Sequence, residues 1–424
     1  MKEYYMLLGL NQKEVKIIDV EENNGIIEVS IENKNKKVRC PKCNKFTSSV
    51  HGKNKPIRSK YLKSCEQRIM LIINKKRYHC YNCGKIFTED LTINTENGNI
   101  SKSLLIKIRK ELLKYNQNFK SIAEECGVSS QTVINELKKI SEMMPERIIN
   151  LPRVISFDEF KADTNEGKYA FVLNDPIHKR VLDILSSRKK EYLIKYFTHC
   201  NNRHSVEFVI SDMYEPYLLV TKIMFPKAKY VVDRFHYITY IMDTLDKIRI
   251  RLQKSYDIKS KEYKILKNKK NVSLLRKYSN DIDWWVLVKR YKNGHMVDVL
   301  PSELLNRILS ISPDLRKGYN LKEEFLDIIN HATYETVDVQ IIVWISKCVA
   351  SGIEEFIEAA GTISRWREYI VNSFIDDRYS NGYTEGINNK IKVIKRNGFG
   401  YRSFKLLRAR ILYIFNKKMK GWKI

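Results

Sequence analysis

Four of the eight cysteines come in two C-x-x-C units, Cys40-Pro41-Lys42-Cys43 and Cys80-Tyr81-Asn82-Cys83. Each unit sets two thiolates on one side of a tight knuckle, and two knuckles make a four-sulfur tetrahedral site. Zn2+ suits it best, being redox-inert, thiolate-loving and tetrahedral. A site closed by four protein ligands has no open position, so the metal there contributes folding energy and not catalysis. A redox motif would be a single pair at a helix start within a βαβ pattern. His79 could stand in for a cysteine, but its adjacency to Cys80 makes that geometrically awkward. The 36 residues between the pairs are expected to form a hairpin carrying Lys53, Lys55, Arg58, Lys60, Lys63, Arg68, Lys75, Lys76 and Arg77. Those side chains read as phosphate contacts. Cys65, Cys126, Cys200 and Cys348 are scattered singly and need no reading beyond small buried hydrophobes.

Carboxylates suggest a second chemistry. Two divalent cations about 3.5–4 Å apart can activate a water or a 3′-hydroxyl and stabilise the leaving oxygen of a phosphodiester. Mg2+ or Mn2+ in that role needs carboxylate oxygens and keeps waters and substrate phosphate as its other ligands. Asp158, Asp212 and Asp233 each follow a short apolar run, and Glu385 opens a helical one.

The elements that would position these acids follow from periodicity. A strand over 154–157 ends at Asp158. Strands over 169–173 and 180–185 are joined by the turn at 174–179, and 191–199 reads as a helix. A strand over 205–211 ends at Asp212, and a helix over 213–225 is closed by Pro226. A strand over 229–232 ends at Asp233, followed by Arg234-Phe235-His236. The order β-β-β-α-β-α-β is that of a ribonuclease H-like mixed sheet in an α/β fold, where acids ending strands one and four converge on divalent metal. Asn381-Gly382 makes a turn and Thr384 can cap the helix that follows. That helix puts Glu385, Asn389, Lys392 and Arg396 on one face, an acid at the tip with cations along the same stripe. A single acid of this kind is equally well a solvated or capping carboxylate. The joint placement at strand ends carries the reading.

Residues 119–137 follow the plan of a helix-turn-helix. Ala123 is small where two helices cross, and Gly127 stands at the turn, where a positive φ is convenient. Ser129 or Ser130 can cap the second helix, and Val133 and Leu137 give it a buried face. Ser130, Gln131, Thr132 and Asn135 would face outward, with types that suit base edges and phosphates in a major groove. The stretch 103–115 reads as a helix packed behind the pair.

Charge points the same way. The formal net charge is +28, which asks for a polyanionic partner, nucleic acid before anionic membrane. Residues 34 to 85 alone hold 16 Lys or Arg against one acid, Glu66. No stretch approaches ~18 uninterrupted apolar residues, and the N-terminus lacks a signal-peptide pattern. The expected location is therefore cytoplasmic, associated with the nucleoid. Three domains are expected: a zinc-binding domain over 1–95, a helix-turn-helix domain over 96–148 and a catalytic domain over 149–424. The joints are the polar stretch 92–101 and the segment 143–153 between two prolines. Residues about 240–370 read as a mostly helical insertion. Within it, Trp284 and Trp285 read as core, with stacking on a flipped or terminal base as the lesser alternative.

At these residues the chain resembles the ISL3 family of bacterial insertion-sequence transposases, of the Asp-Asp-Glu type. The resemblance runs through the paired-cysteine finger, the helix-turn-helix and the block Ile155-Ser156-Phe157-Asp158-Glu159. It continues through Ser211-Asp212-Met213-Tyr214, Phe225-Pro226-Lys227-Ala228, Asp233-Arg234-Phe235-His236 and the segment Asn381 to Lys392. It implies binding of double-stranded DNA at terminal inverted repeats, Mg2+-dependent strand cleavage and joining into target DNA, and a helical insertion before the Glu. A homo-oligomer, a dimer in the synaptic complex, is the expected assembly. Asp212 and Asp233 compete for the second acidic position. Strand order favours Asp212, with Asp233 and His236 in support, whereas a reading from the Asp-Arg-Phe-His block chooses Asp233. Lys392 and Arg396 are expected at the DNA end. The competing functions are a zinc-dependent DNA-binding regulator, which has no need of the acids, and a structure-specific nuclease that cuts without joining.

Overall fold

A computed structural model describes residues 2–64, 66–90, 93, 99–292, 295–379, 382–398 and 401–416. The joint expected at 92–101 lies largely outside them, as do Cys65 and the first two residues of the Ser380-Asn381-Gly382 turn. The chain forms two compact units. One holds Met1–Glu146, Ala162–Lys168 and Asn389–Ile424, and the other holds Arg147–Lys161 and Tyr169–Asn388.

The first unit opens with α1 (Lys2–Leu8), then β1 (Val15–Asn23) and β2 (Ile26–Asn33). Asn24 and Gly25 between the strands both take positive φ, 52° and 73°, as a two-residue hairpin turn that follows the strand twist requires. Six short strands precede the helices: β3 (Val38–Arg39), β4 (Phe46–Thr47), β5 (Val50–Lys53), β6 (Ile57–Lys60), β7 (Arg68–Asn74) and β8 (Lys76–His79). A seventh, β9 (Ile86–Thr88), follows the second cysteine pair. The residues between the cysteine pairs thus do not make one basic hairpin. They supply β6 and β7 to a sheet ordered β1-β2-β7-β6, and β5 and β8 to a separate sheet ordered β5-β8-β9. The reason is apolar alternation within the basic stretch: Ile69, Leu71 and Ile73 on β7 are buried with Val29 and Ile31 of β2, and only a paired strand can bury that face.

The helix-turn-helix forms as expected. Its helices are α2 (Lys102–Leu112), α3 (Phe119–Cys126) and α4 (Ser130–Met143). Asn118 and Ser121 close a capping box on α3, Gly127 ends it at φ 67°, and the Ser129 hydroxyl accepts from the Thr132 N–H to cap α4. Ala123, Val133 and Leu137 are buried.

The second unit is built on β10 (Val154–Thr164), β11 (Gly167–Asp175), β12 (Arg180–Leu185), β13 (Phe208–Ser211) and β14 (Lys229–Val232). Their order, β12-β11-β10-β13-β14, with β10, β13 and β14 mutually parallel, is the ribonuclease H-like arrangement that the strand succession implies. The helices α5 (Lys190–Phe197) and α6 (Glu215–Met224) supply the crossovers. Phe157, Phe171, Phe197, Tyr217 and Phe225 pack on one face of the sheet. Their rings meet mostly edge to face, the geometry that aromatic quadrupoles favour.

The insertion is mostly helical, with α7 (Arg234–Ser255), α8 (Lys261–Lys267), α9 (Lys269–Arg276), α10 (Pro301–Leu309), α11 (Pro313–His331), α12 (Tyr334–Ala350) and α13 (Glu354–Val371). It also contains a two-stranded hairpin, β15 (Val288–Lys292) with β16 (His295–Val299), which the helical periodicity of its flanks obscures. Trp284 packs against the main core, whereas Trp285 is 87% exposed, so only the first of the two tryptophans is a core residue.

Two helices end the described chain, α14 (Gly382–Asn397) and α15 (Phe404–Phe415). In the first unit α15 packs on α4 and α2, so the C-terminal helix completes the core of the helix-turn-helix. The buried Arg410 donates from Nη2 to the carbonyls of Lys114, at 2.9 Å, and Gln117, at 3.3 Å, between α2 and α3. Ile411, fully buried on the same helix, gives a test. Ile411→Ala should cost about 2–4 kcal/mol, read as a lower unfolding temperature and faster amide exchange in α4. Unchanged exchange there would show that α15 does not support α2, α3 and α4.

Candidate active site and metal centre

The acids gather where the parallel pairing stops. The β10–β13 ladder ends at Ser156 opposite Ile210, and the β13–β14 ladder ends at Ser211 opposite Val232. Asp158, Asp212 and Asp233 thus lie just beyond the last paired residues of three adjacent strands, at the same end. The first strand does not end at Asp158, as its apolar run suggests, but continues to Thr164 beside β11. The strand pairing, and not the strand, stops before the acid.

Each acid has a distinct environment. Asp158 accepts from the Glu159 N–H at 2.6 Å and from Asn388 Nδ2 at 2.7 Å. Burial, and then the charge of Asp212, push its carboxyl up to about 7. Asp212 Oδ1 lies 2.7 Å from His236 Nε2. That is an ion-pair distance without the direction of a hydrogen bond, so this buried oxygen has no donor. His236, in the first turn of α7, is 4.0 Å from Asp233 Oδ2 as well. Burial opposes a charge on its imidazole, but Asp212, then Asp233 and Asp158, outweigh it and raise its basicity. Asp233 itself is buried, and its N–H donates to Ser211 O at 2.9 Å.

Crowded, half-buried carboxylates, one with an oxygen that no hydrogen bond takes up, are the donor set of a hard divalent cation. The third acid is less closely placed. Glu385 is exposed on the first turns of α14, between two residues that anchor this helix to the sheet. Thr384 does not cap the helix. It is buried, with its hydroxyl 3.0 Å from Ser156 Oγ and 3.2 Å from Asn174 Nδ2. Asn388, one turn on, holds Asp158. Among the described residues, the four paired cysteines are the one group of three or more potential metal ligands found close together, all within 4.8 Å of one another.

Several residues of this site escape the sequence reading. Glu159 pairs with Arg188 and accepts from the Tyr217 hydroxyl, and the Arg188 guanidinium lies over the rings of Tyr169 and Tyr214 at 4.4 and 5.5 Å. Asn174 and Asn388 were legible only as polar residues at a turn and along a helix. An amide three residues after a candidate metal-binding acid is the one available signal, since i and i+3 share a helix face.

The cysteine knuckles form as their spacing demands. Cys40 Sγ is 3.5 Å from Cys83 Sγ, and Cys43 Sγ is 3.6 Å from Cys80 Sγ. A tetrahedron of zinc–sulfur bonds of about 2.3 Å has edges of about 3.8 Å, so the four sulfurs fit that ion. Asn44 and Gly84 take the same left-handed position after each pair, at φ 59° and 71°. The Lys45 backbone N–H draws the Cys43 thiol down to about 6, towards the thiolate that a metal needs.

The DNA candidates divide. Gln131 and Asn135 are exposed on α4 and joined by a 2.7 Å hydrogen bond, with Ser130 and Thr132 half-buried beside them. Lys60 is exposed, but Arg58 is engaged by Glu28 and Lys76 by Glu32, so neither is a free cation. Lys392 and Arg396 are exposed on α14.

Residues 155–411 match a family model of the DDE ISL3 type described as a transposase. Residues 36–83 match one described as the zinc-finger of transposases IS204/IS1001/IS1096/IS1165. The chain is 23% identical over 375 residues to the transposase for insertion sequence element IS1001 of Bordetella parapertussis, across 86% of this chain and 85% of that one. It is 30% identical over 124 residues to a protein named ATP-dependent protease from Lactococcus lactis subsp. lactis. That match takes in 29% of this chain and only 38% of the other's length. Among the described residues, no helix is long and apolar enough to cross a membrane.

Proposed function

The chain belongs to the ISL3 family of DDE transposases, and from that premise we propose that it binds the terminal inverted repeats of an insertion sequence and cuts and rejoins DNA strands there. The observation that carries this reading is the convergence of Asp158, Asp212 and His236 beyond the ends of parallel strands. Asp158, Asp212 and Glu385 are the acids we assign to Mg2+ or Mn2+, and Cys40, Cys43, Cys80 and Cys83 are the ligands we assign to Zn2+. The divalent cation, when bound, would activate a water or 3′-hydroxyl and offset charge on the phosphodiester.

The chain's own residues set the stage for that. Asp212 is preferred to Asp233 as second acid because its charge bears on Asp158 and one of its oxygens lacks a donor. Asp233 and His236 are positioning residues: the imidazole lies 2.7 Å from Asp212 and 4.0 Å from Asp233 and pairs with both. Asn388 orients Asp158 by donating to one oxygen, and Thr384 ties the Glu385 helix to β10. Asn388→Leu should therefore weaken Mn2+ binding about 10–100-fold, measured by titration of the full chain, with the overall fold retained. Unchanged affinity would remove Asn388 from the site.

DNA recognition falls to α4, where Gln131 and Asn135 present amides to base edges, with Ser130 and Thr132 alongside. Lys60, Lys392 and Arg396 are assigned to the backbone, and Arg58 would join them only by leaving Glu28. A dimer that holds two ends together is the assembly this chemistry requires. The test is binding of the full chain to duplexes carrying the element's own ends and to scrambled duplexes. Gln131→Ala/Asn135→Ala should reduce preference for the ends by tenfold or more, at roughly 1–3 kcal/mol for each base left unread, while scrambled duplex binds as before. A wild type without preference would contradict the reading.

A further inference from the structure

Away from the acids, α7, α8 and α9 of the insertion surround an open cleft of about 800 Å3. Its lining includes Arg249, Lys267, Lys269, Arg276 and Lys277, against one carboxylate, Asp281. The charge is concentrated locally: from Lys261 to Lys277 the chain carries seven basic residues and one acid, Glu262. Arg276 is matched by Asp243 at 2.6 Å, so the cationic surplus lies on Lys267, Lys269 and Lys277, all exposed.

Arg249 differs from these. It is 8% exposed, and its guanidinium is held in place by three acceptors. Nε donates to Asp246, and Nη1 donates to Gln253 Oε1 and to the Leu266 carbonyl, both at 2.8 Å. Its Nη2 has no hydrogen bond among the described residues. A rigid fork with an unused N–H edge, flanked by exposed lysines, is a pre-organised receptor for a phosphate oxygen. The Asn268 side chain already caps α9 by accepting from Lys270 and Asn271, so the receptor is made of side chains and not of a bare helix end.

We propose that this cleft binds phosphodiester groups of duplex DNA through Arg249, Lys267, Lys269 and Lys277, making the helical insertion a second DNA-contacting surface in addition to the zinc and helix-turn-helix region. The proposal rests on the DNA-processing reading above. It adds that the insertion holds DNA by its backbone, through cations whose phosphate contacts carry no base preference.

The experiment compares the full chain with Lys267→Glu/Lys269→Glu, and with Lys195→Glu/Lys317→Glu as a control of equal charge change on exposed lysines outside every assigned site. Affinity for duplex DNA is measured across a salt series. The cleft variant should bind roughly tenfold more weakly at low salt, and its salt slope should fall by about 2, one for each phosphate no longer neutralised. Its preference for the element's ends over scrambled duplex should be unchanged. Equal losses in both variants would show bulk charge alone and overturn the proposal, as would no loss in the cleft variant. A melting-temperature rise with inorganic phosphate that disappears in the cleft variant, while DNA binding stays intact, would assign the cleft to a small phosphate ligand and likewise overturn it. A wild type that binds no duplex at all would remove the functional reading and this occupant together. A cleft variant failing beside a DNA-binding wild type would leave that reading standing.

Discussion

Asp158→Asn is expected to cut Mg2+-dependent strand cleavage by about 10³-fold while leaving duplex affinity within about twofold. The substitution keeps the shape of the side chain and removes one charge from the cation's donor set. Binding to the duplex is assigned to α4 and to basic surfaces, none of which involves Asp158. The same variant should be no less stable than wild type when metal is absent. Burial and Asp212 raise the Asp158 carboxyl to about 7, against about 3.9 in an unfolded chain. Between those values the folded state holds the proton more tightly than the unfolded state. Metal-free wild type should therefore lose stability as pH rises from about 4 to about 7, and the penalty should persist above that. Asp158→Asn should lack this component, and thermal unfolding across that range would show it. Asp212→Asn should match Asp158→Asn in cleavage, whereas Asp233→Asn should retain measurable turnover. The reverse ranking would make Asp233 the second acid.

Loss of one knuckle should have the largest structural effect. Cys80→Ser is expected to release the ion from residues 36–90, abolish specific DNA binding and expose the short strands around both knuckles to exchange. Zinc in a four-thiolate site contributes on the order of 10 kcal/mol to folding in small domains. The strands here are too short to replace it: β3 and β4 are two residues each and β9 is three. The four-stranded sheet has its own apolar core through Val29, Ile31, Leu71 and Ile73, so it should survive. Metal analysis, with hydrogen exchange across the N-terminal unit, checks this. A stoichiometric zinc ion retained in Cys80→Ser, or unchanged exchange at β8 and β9, would contradict the assignment.

The sequence disclosed most where chemistry and period coincide. Two C-x-x-C units admit one close arrangement of four sulfurs, and Gly127 followed by Ser129 marks a turn and a cap that few alternatives share. The strand-end aspartates were legible because parallel strands buried on both faces read as short apolar runs, and an acid that breaks such a run stands out. What stayed hidden depended on neighbours distant in sequence. Asn388 becomes informative only when it lies beside Asp158, 230 residues away. Arg58 looks like a phosphate ligand until β2 brings Glu28 to it. The basic span between the cysteine pairs resolved into two sheets because Ile69, Leu71 and Ile73 alternate within it, a pattern masked by surrounding lysines. The packing of α15 on α2 and α4 joins the chain's end to residues some 300 positions earlier, which local periodicity cannot convey.

Strand joining is the reaction that a regulator or a simple nuclease cannot perform. The full chain is mixed with Mg2+, a short duplex ending in the element's own 3′-hydroxyl terminus, and a supercoiled target plasmid, and the junctions formed are sequenced. Wild type should give the duplex covalently joined to plasmid through that 3′ end, none in EDTA, and none with Asp158→Asn or Glu385→Gln. Joining that persists in either acid variant, or cutting by wild type without any joined product, would contradict the assignment of these carboxylates to a DNA strand-transfer site.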